Sequence, residues 1–164
     1  MKYLLFSFCM LFIVLSACTN KEQEKTAPQV AGTWIASRYD NLDYTGPRTE
    51  TELQLNNDHT FLFRSSTFGL YENQKITDLS ILTEKKGRFV QSHNILEFIS
   101  EEMTITDVTV NSGQPVIYKP VPSGQALFPD CSYTISGNRL EVVYTGQGPT
   151  DGPVRAMITF FKKQ

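Results

Sequence analysis

Two histidines, His59 and His93, are the only imidazole groups in the chain of 164 residues. Zinc and copper sites need three or four ligands drawn from histidine, cysteine and carboxylate side chains. Each histidine lies at a predicted hairpin turn, and in an up-and-down arrangement of strands both turns lie at the same end. Since a shared metal would still lack its other ligands, the sequence predicts no metal site.

Nucleophilic catalysis needs a serine or cysteine within reach of a base and an orienting acid. The chain has no Gly-X-Ser-X-Gly elbow, and its glycine-rich stretch GQGPTDG (146–152) lies between two predicted strands with no helix after it. That stretch is therefore interpreted as a hairpin loop rather than a phosphate loop. The paired carboxylates Glu101 and Glu102 fall at a predicted strand end and are expected to point to opposite faces. The pattern does not indicate an enzyme, and no cofactor is expected.

The N terminus combines one lysine with a short apolar run that ends at Cys18. This is the shape of a secretory signal, because polar residues from Thr19 onward arrive too soon for the roughly 20 apolar residues of a membrane-spanning helix. The last four residues of the run, LSAC, resemble the lipobox of bacterial lipoproteins, in which a small residue precedes the lipid-carrying cysteine. The resemblance implies that residues 1–17 are removed and that Cys18 carries a diacylglycerol thioether and, usually, an amide-linked acyl chain such as palmitate. The alternative is an ordinary signal peptide with a chance cysteine.

Several acyl chains hold a protein stably on a membrane. The expected location is therefore the bacterial cell envelope, at the periplasmic face or the cell surface. After Cys18 the chain reads TNKEQEKTAPQ, which is polar and unpatterned, so residues 18–30 are predicted to be the lipidated cysteine and a flexible tether. Residues 31–164 are long enough for one domain with its own core. A formal net charge of −2 and the lack of a basic block argue against nucleic acid as a partner.

Cys9 leaves with the signal and Cys18 carries the lipid, so Cys131 has no cysteine to pair with in the same chain. A lone thiol in an oxidising compartment usually behaves as a small, buried apolar side chain. A redox or metal role would need a second cysteine or a basic neighbour, whereas Cys131 follows Asp130. We therefore expect a buried thiol without a chemical role.

Period-two alternation of apolar and polar residues is the densest pattern in the remaining chain. In TELQLNNDHTFLFRSS, Leu53 and Leu55 face one way, and after the turn residues NND, Phe61 and Phe63 alternate with polar neighbours. Two strands joined by a tight turn are the direct interpretation. The stretches SHNILEF (92–98) and SGNRLEV (136–142) repeat Ser, Asn, Leu and Glu in register, which indicates one hairpin design used twice. Their asparagines, Asn94 and Asn138, are expected to reverse the chain and to tolerate positive φ.

Further strands are predicted in GTWIASRY (32–39), MTITDVTV (103–110) and VRAMITFF (154–161), which gives about eight to ten strands and no convincing helix. Two stretches interrupt them. Phe68–Lys85 is a loop with a short helix or a poorly patterned strand, and Asn111–Pro129 is rich in proline and glycine and is interpreted as a long excursion. Long ordered loops often carry binding functions, so both are candidates for a lid or a mouth.

The motif Gly32-Thr33-Trp34, on the first predicted strand, resembles the Gly-X-Trp signature of lipocalins. The flanking hairpins are similar to those of lipocalin-like domains in bacterial, especially Bacteroidota, lipoproteins. This resemblance, over about Ala31–Lys163, implies an all-β fold: a small antiparallel up-and-down β-barrel of about eight strands. It also implies that Trp34 packs across the closed end under an arginine from near the last strand, and Arg155 is the positional match, although it precedes its predicted strand. Copper-resistance lipoproteins have a related shape, but their paired-cysteine motif is absent.

An eight-stranded barrel is just wide enough to be filled by side chains or to hold one small ligand. The first hypothesis is an envelope lipoprotein whose barrel binds a small apolar or amphipathic ligand. The alternative is a non-enzymatic scaffold whose loops Phe68–Lys85 and Asn111–Pro129 meet an envelope protein partner, and a weak isomerase or hydrolase site stays as a third option. The residues predicted to face the interior and contact a ligand are Trp34, Leu53, Leu55, Phe61, Phe63, Phe89, Phe98, Tyr133 and Tyr144.

Overall fold

The computed structural model describes residues 29–39, 46–70, 75, 77–109, 113–121, 127–147 and 152–164. The predicted signal sequence, Cys18 and nearly all of the tether lie outside these ranges. No part of the described chain forms a helix long and apolar enough to cross a membrane. The strands are β1 (Gly32–Tyr39), β2 (Arg48–Leu55), β3 (Thr60–Phe68), β4 (Leu79–Ser92), β5 (Ile95–Asp107), β6 (Pro115–Tyr118), β7 (Ser132–Ser136), β8 (Arg139–Gln147) and β9 (Pro153–Lys162).

These strands form a closed antiparallel barrel. Strands β1 to β5 follow one another in the sheet, β7, β8 and β9 continue it, and β9 returns to β1. The join between β5 and β7 is short, with the single pair Ile95–Ser132. Strand β6 pairs only with the second half of β5 and lies outside the circuit. The predicted all-β, eight-stranded, up-and-down barrel is confirmed, with one additional strand.

The inward-facing residues of β2 and β3 include those that the alternation predicted. Leu53 and Leu55 are buried opposite Phe63 and Phe61, while Glu52 pairs with Arg64 on the outer face. Large apolar side chains on one face therefore drive closure of the sheet around a core.

One end of the barrel, called the closed end below, contains the turns at residues 56–59, 93–94 and 137–138. A carbonyl group in each turn accepts a hydrogen bond from a following strand: His59 from Phe89 at 2.8 Å, Asn94 from Tyr133 at 2.8 Å and Asn138 from Lys162 at 2.7 Å. Each turn is thereby fastened to a later strand of the sheet. The two histidines lie at the same end, as predicted.

Both repeated motifs form hairpins, β4–β5 and β7–β8, and these hairpins are neighbours in the barrel. The expectation of positive φ at the asparagines was wrong. The left-handed residues are His93, with φ of 52°, and Gly137, with φ of 59°. Each is the residue before the asparagine, so that position takes the tightest bend of the two-residue turn.

The two interrupting stretches are more regular than the sequence indicated. The second half of Phe68–Lys85 belongs to β4, so the strand alternative is correct there and only the region between Phe68 and Leu79 connects strands. The stretch Asn111–Pro129 contains β6, and it ends with Leu127 and Phe128 buried in the core. Apolar residues in a proline-rich stretch give no periodic signal, which is why the sequence did not reveal this inward turn.

A β-bulge in β5 corrects the expectation for the paired carboxylates. The β4–β5 register shifts beside Gly87, so Glu101 is an extra residue and both carboxylates face outward in mid-strand. Glu101 accepts from Arg88 Nε at 2.8 Å, and Glu102 pairs with Lys86 at 3.4 Å and with Lys119. The two carboxylates are therefore surface ion-pair partners.

Candidate functional site

The residues predicted to contact a ligand all face the barrel interior and belong to one cluster. Phe63 and Tyr144 are partly buried and pack against it. The buried members are Trp34, Leu53, Leu55, Phe61, Phe89, Phe98 and Tyr133. Their predicted direction is confirmed, whereas ligand contact stays a prediction.

Phe128 fills the middle of this cluster. Its ring centroid lies 5.0 Å from that of Tyr144, 5.5 Å from that of Phe98 and 5.8 Å from that of Phe63. Edge and tilted contacts of this kind are the favoured geometries for aromatic rings. The sequence left open whether side chains fill the barrel or leave room for a small ligand. In the half of the barrel near the closed end, side chains fill the interior.

Trp34 packs at the closed end, as the lipocalin resemblance implied, and its Nε1 donates to the carbonyl of Val30 at 2.9 Å. The expected arginine cap was wrong. Lys162 places its Nζ 5.6 Å from the centre of the indole ring, a cation–π contact. Arg155 lies near the start of β9, at the other end of the strand, where it donates to the carbonyl of Asp130 at 3.4 Å.

Toward the end of the barrel opposite the closed end, the side chains of the interior become more polar. Alternation continues the inward face of β2 from Leu53 to Thr51 and Thr49. On β4, Lys85 pairs with inward-facing Phe63 and Met103, and burial lowers the pKa of its ammonium group. The part of the interior farther from the closed end therefore carries hydroxyl groups and one partly buried cation.

The barrel wall is open on one side of this polar half. Strands β1 and β9 pair only at Trp34–Lys162 and Ile35–Phe161. In the described parts of both strands, the ladder stops there, although β1 continues to Tyr39 and β9 begins at Pro153. The two strands therefore diverge with increasing distance from the closed end.

Hydrogen bonds beside the opening show which backbone groups face it. Lys163 N donates to Thr33 O at 2.8 Å across the β1–β9 ladder, whereas Lys162 N donates to Asn138 O at 2.7 Å on the β8 side. A residue in an antiparallel ladder presents its N–H and C=O to the same neighbouring strand. The odd-numbered residues of β1 and β9 therefore point toward each other.

Ser37 and Thr159 would be the next hydrogen-bonded pair if the ladder continued, but they lie on opposite sides of the opening. Met157 follows on β9 with the same orientation. These three residues direct backbone N–H and C=O groups into the space between the strands. Among the described residues, they have no ladder partner there.

The space between β1 and β9, called the β1–β9 cleft below, has a volume of about 830 Å³. Apolar side chains form much of its wall, and two arginines border it. Arg139 forms an ion pair with Glu141, whereas Arg38 has no carboxylate partner within the described part of the chain. The lining residues are Ala36, Ser37, Arg38, Thr49, Thr51, Arg139, Tyr144, Ala156, Met157, Ile158, Thr159 and Phe161.

Sequence reasoning found only Tyr144 among these lining residues. The period-two pattern carried a usable signal, because extending the inward face of Leu53 along the strand reaches Thr51 and Thr49. No pattern signals the divergence of β1 from β9, since pairing depends on the twist of the whole sheet.

The two histidines, which are the other candidates for metal binding or catalysis, do not line the cleft. His59 packs against Phe89, with ring centroids 5.5 Å apart, and His93 Nδ1 lies 3.4 Å from Ser92 Oγ. In the portion of the chain that the structure describes, no three histidine, cysteine or acidic side chains are grouped to hold a metal ion.

Cys131 is 2% exposed, and burial raises the pKa of its thiol to about 11. The thiolate is the reactive form, so little of it exists at pH 8 in the folded protein. We expect iodoacetamide to alkylate Cys131 at pH 8 far more slowly in the native protein than in urea, as measured by mass spectrometry. Equal rates in the two states would contradict the buried placement.

No family model and no curated protein sequence matches the chain.

Proposed function

We propose that the protein is a lipid-anchored lipoprotein of the bacterial envelope whose lipocalin-like barrel binds an amphipathic ligand in the β1–β9 cleft. The cleft carries this proposal, because its volume of about 830 Å³ falls within the range typical of ligand pockets. Phe128 packs against Phe98 and Tyr144 in the barrel centre, so the proposal assigns the ligand to the cleft instead.

The lining of the cleft favours a ligand with two different parts. Ala36, Ala156 and Ile158 offer small apolar surfaces, while Arg38 adds a positive charge at the rim. An apolar portion gains free energy by leaving water, and a polar or anionic portion gains a charge-assisted hydrogen bond. A ligand that is apolar throughout would leave the arginine and the open backbone groups without partners.

Native mass spectrometry of the chain from Thr19 to Gln164, secreted without its lipid, tests ligand binding. We expect a mass that is present in the native spectrum and absent after denaturation. Ala156→Trp, which fills the cleft, should remove this mass. Val90→Trp, at an outward position that is 51% exposed, should retain it. A bare wild-type chain, or equal retention by Ala156→Trp, would count against the proposal.

The anchoring part of the proposal has a separate test. Cys18→Ala removes the acceptor of the lipid, so we expect the protein to move from the membrane fraction to the soluble fraction. Cys131→Ala is the matched control and should stay in the membrane fraction. Membrane association of Cys18→Ala would mean that the N terminus is not a lipidation signal.

A second candidate function, a scaffold for an envelope protein partner, is favoured by β6. Its residues Val116 and Ile117 are 42% and 60% exposed, on a strand that pairs with β5 alone in the described sheet. Such an edge can attract another protein. Ile117→Lys should then lose partners that wild-type protein captures from envelope extracts, and an unchanged set would exclude β6.

A further inference from the structure

We infer that the ligand of the β1–β9 cleft is an extended peptide that adds a strand antiparallel to β9, with apolar side chains at alternate positions and an acidic side chain level with Arg38. This inference rests on the proposed function, because it names the ligand class of the same cleft.

The open backbone edges are the main reason to prefer a peptide. Met157 and Thr159 direct N–H and C=O groups into the cleft, and the β1–β9 ladder ends before it reaches them. An amphiphile with a hydrocarbon tail would leave these groups with water alone. A peptide strand satisfies them with matching donors and acceptors, which is the basis of recognition by strand addition.

Strand β9 offers the better edge. Among the described residues, the stretch of β9 without a partner on the β1 side runs from Pro153 to Phe160, whereas the corresponding stretch of β1 runs only from Ala36 to Tyr39. Because β1 and β9 run in opposite directions, one added strand cannot be antiparallel to both. Antiparallel pairing is slightly more stable per residue, so we assign the pairing to the longer edge.

The side chains around the cleft define the pattern of the peptide. Inward-facing positions of an added strand would meet Ala156, Ile158 and Ala36, which are small enough to leave room for apolar side chains. Arg38 continues this inward face on β1 and has no carboxylate partner in the described ranges. An acidic residue at that level supplies the missing charge.

The probe is a set of fluorescein-labelled heptapeptide amides with apolar residues (Val, Ile, Leu or Phe) at the second and sixth positions. Threonine occupies the third and fifth positions, and glutamate occupies the fourth, which lies opposite Ile158 and level with Arg38 in the continued register. Fluorescence anisotropy with the chain from Thr19 to Gln164 should show saturable binding by members of the set. Replacing the glutamate with lysine should weaken binding to wild-type protein and restore it with Arg38→Glu. No saturation by any member at millimolar concentration overturns the inference.

Backbone methylation separates strand addition from other modes of binding. Outward residues of an antiparallel added strand lie opposite Met157 and Thr159 and exchange hydrogen bonds with them. N-methylation of the two threonines should lower affinity by about tenfold or more, whereas N-methylation of the two apolar residues should change it by less than about threefold. Equal effects of the two methylation patterns would overturn pairing with β9.

A backbone variant gives the same test from the side of the protein. Met157→Pro removes the N–H that faces the cleft, and proline is tolerated on an open strand edge. It should lower peptide affinity by about tenfold, while Met157→Ala should stay within about threefold of wild type. Thermal unfolding of both variants checks that the barrel is intact, and equal peptide affinities of the two folded variants would contradict the inference.

Dodecanoate distinguishes failure of this inference from failure of the proposed function. Binding of dodecanoate that Ala156→Trp abolishes, without binding of any peptide, would keep the amphipathic cleft and overturn the peptide. Binding of neither probe would overturn both. The inference is supported if wild-type protein and Met157→Ala bind the peptides and Met157→Pro loses this binding.

Discussion

Phe128→Ala lowers the free energy of unfolding by about 3–5 kcal/mol, the usual cost of removing a buried phenyl ring. The effect is large because the ring is 5% exposed and contacts several aromatic side chains around the barrel axis. The residues that surround it cannot collapse fully, since each is fixed on a different strand. Urea denaturation followed by fluorescence of Trp34 measures the change.

Phe161→Ala is the control for this substitution. Its side chain is 50% exposed on the outer face of β9, so we expect a loss below about 1 kcal/mol. Phe128→Ala should also create a dry apolar cavity, and benzene that binds in this cavity should raise the stability of the variant. Similar losses for the two variants would show that Phe128 does not fill the barrel.

Gly87→Ala lowers the free energy of unfolding by about 3 kcal/mol, because no space exists for a methyl group beside the bulge in β5. A Cβ atom at this position would lie 2.0 Å from the carbonyl oxygen of Ile99 and 3.0 Å from the ring of Phe61. The first contact is with backbone, so relief requires movement of β4 against β5. Thermal unfolding monitored by circular dichroism measures the change.

Gly152→Ala is the matched control, since a Cβ there would meet no atom within 4 Å. We expect its stability to stay within about 0.5 kcal/mol of wild type. If Gly87→Ala were equally harmless, the close approach of β4 and β5 at the bulge would be incorrect.

Much of the fold could be predicted because strand alternation is a local property. Leu53 and Leu55 show their inward direction within five residues of sequence, and the repeated Ser-X-Asn-X-Leu-Glu motif marks two hairpins. The bulge at Glu101 could not be predicted in this way. It depends on the register between β4 and β5, and one inserted residue changes the direction of every side chain that follows.

The candidate site could be predicted only in part, because the sequence shows which way a side chain points and not what fills the space. The inward aromatic residues are where the pattern placed them, yet Phe128 joins them from a stretch with no periodicity. The identity of the cation that packs on Trp34 could not be predicted from the sequence either. Lys162 and Arg155 both lie on β9, and only the direction of that strand decides which cation reaches the indole ring.

Hydrogen exchange of individual backbone amides, followed by NMR in the ligand-free protein, tests most directly whether the barrel wall is open between β1 and β9. The account predicts fast exchange at Ser37, Met157 and Thr159, whose N–H groups face the cleft, and slow exchange at Ala36 and Ile158, whose N–H groups face β2 and β8. Slow exchange at all five amides would mean that β1 and β9 are paired along their length, and it would contradict the cleft and both proposals built on it.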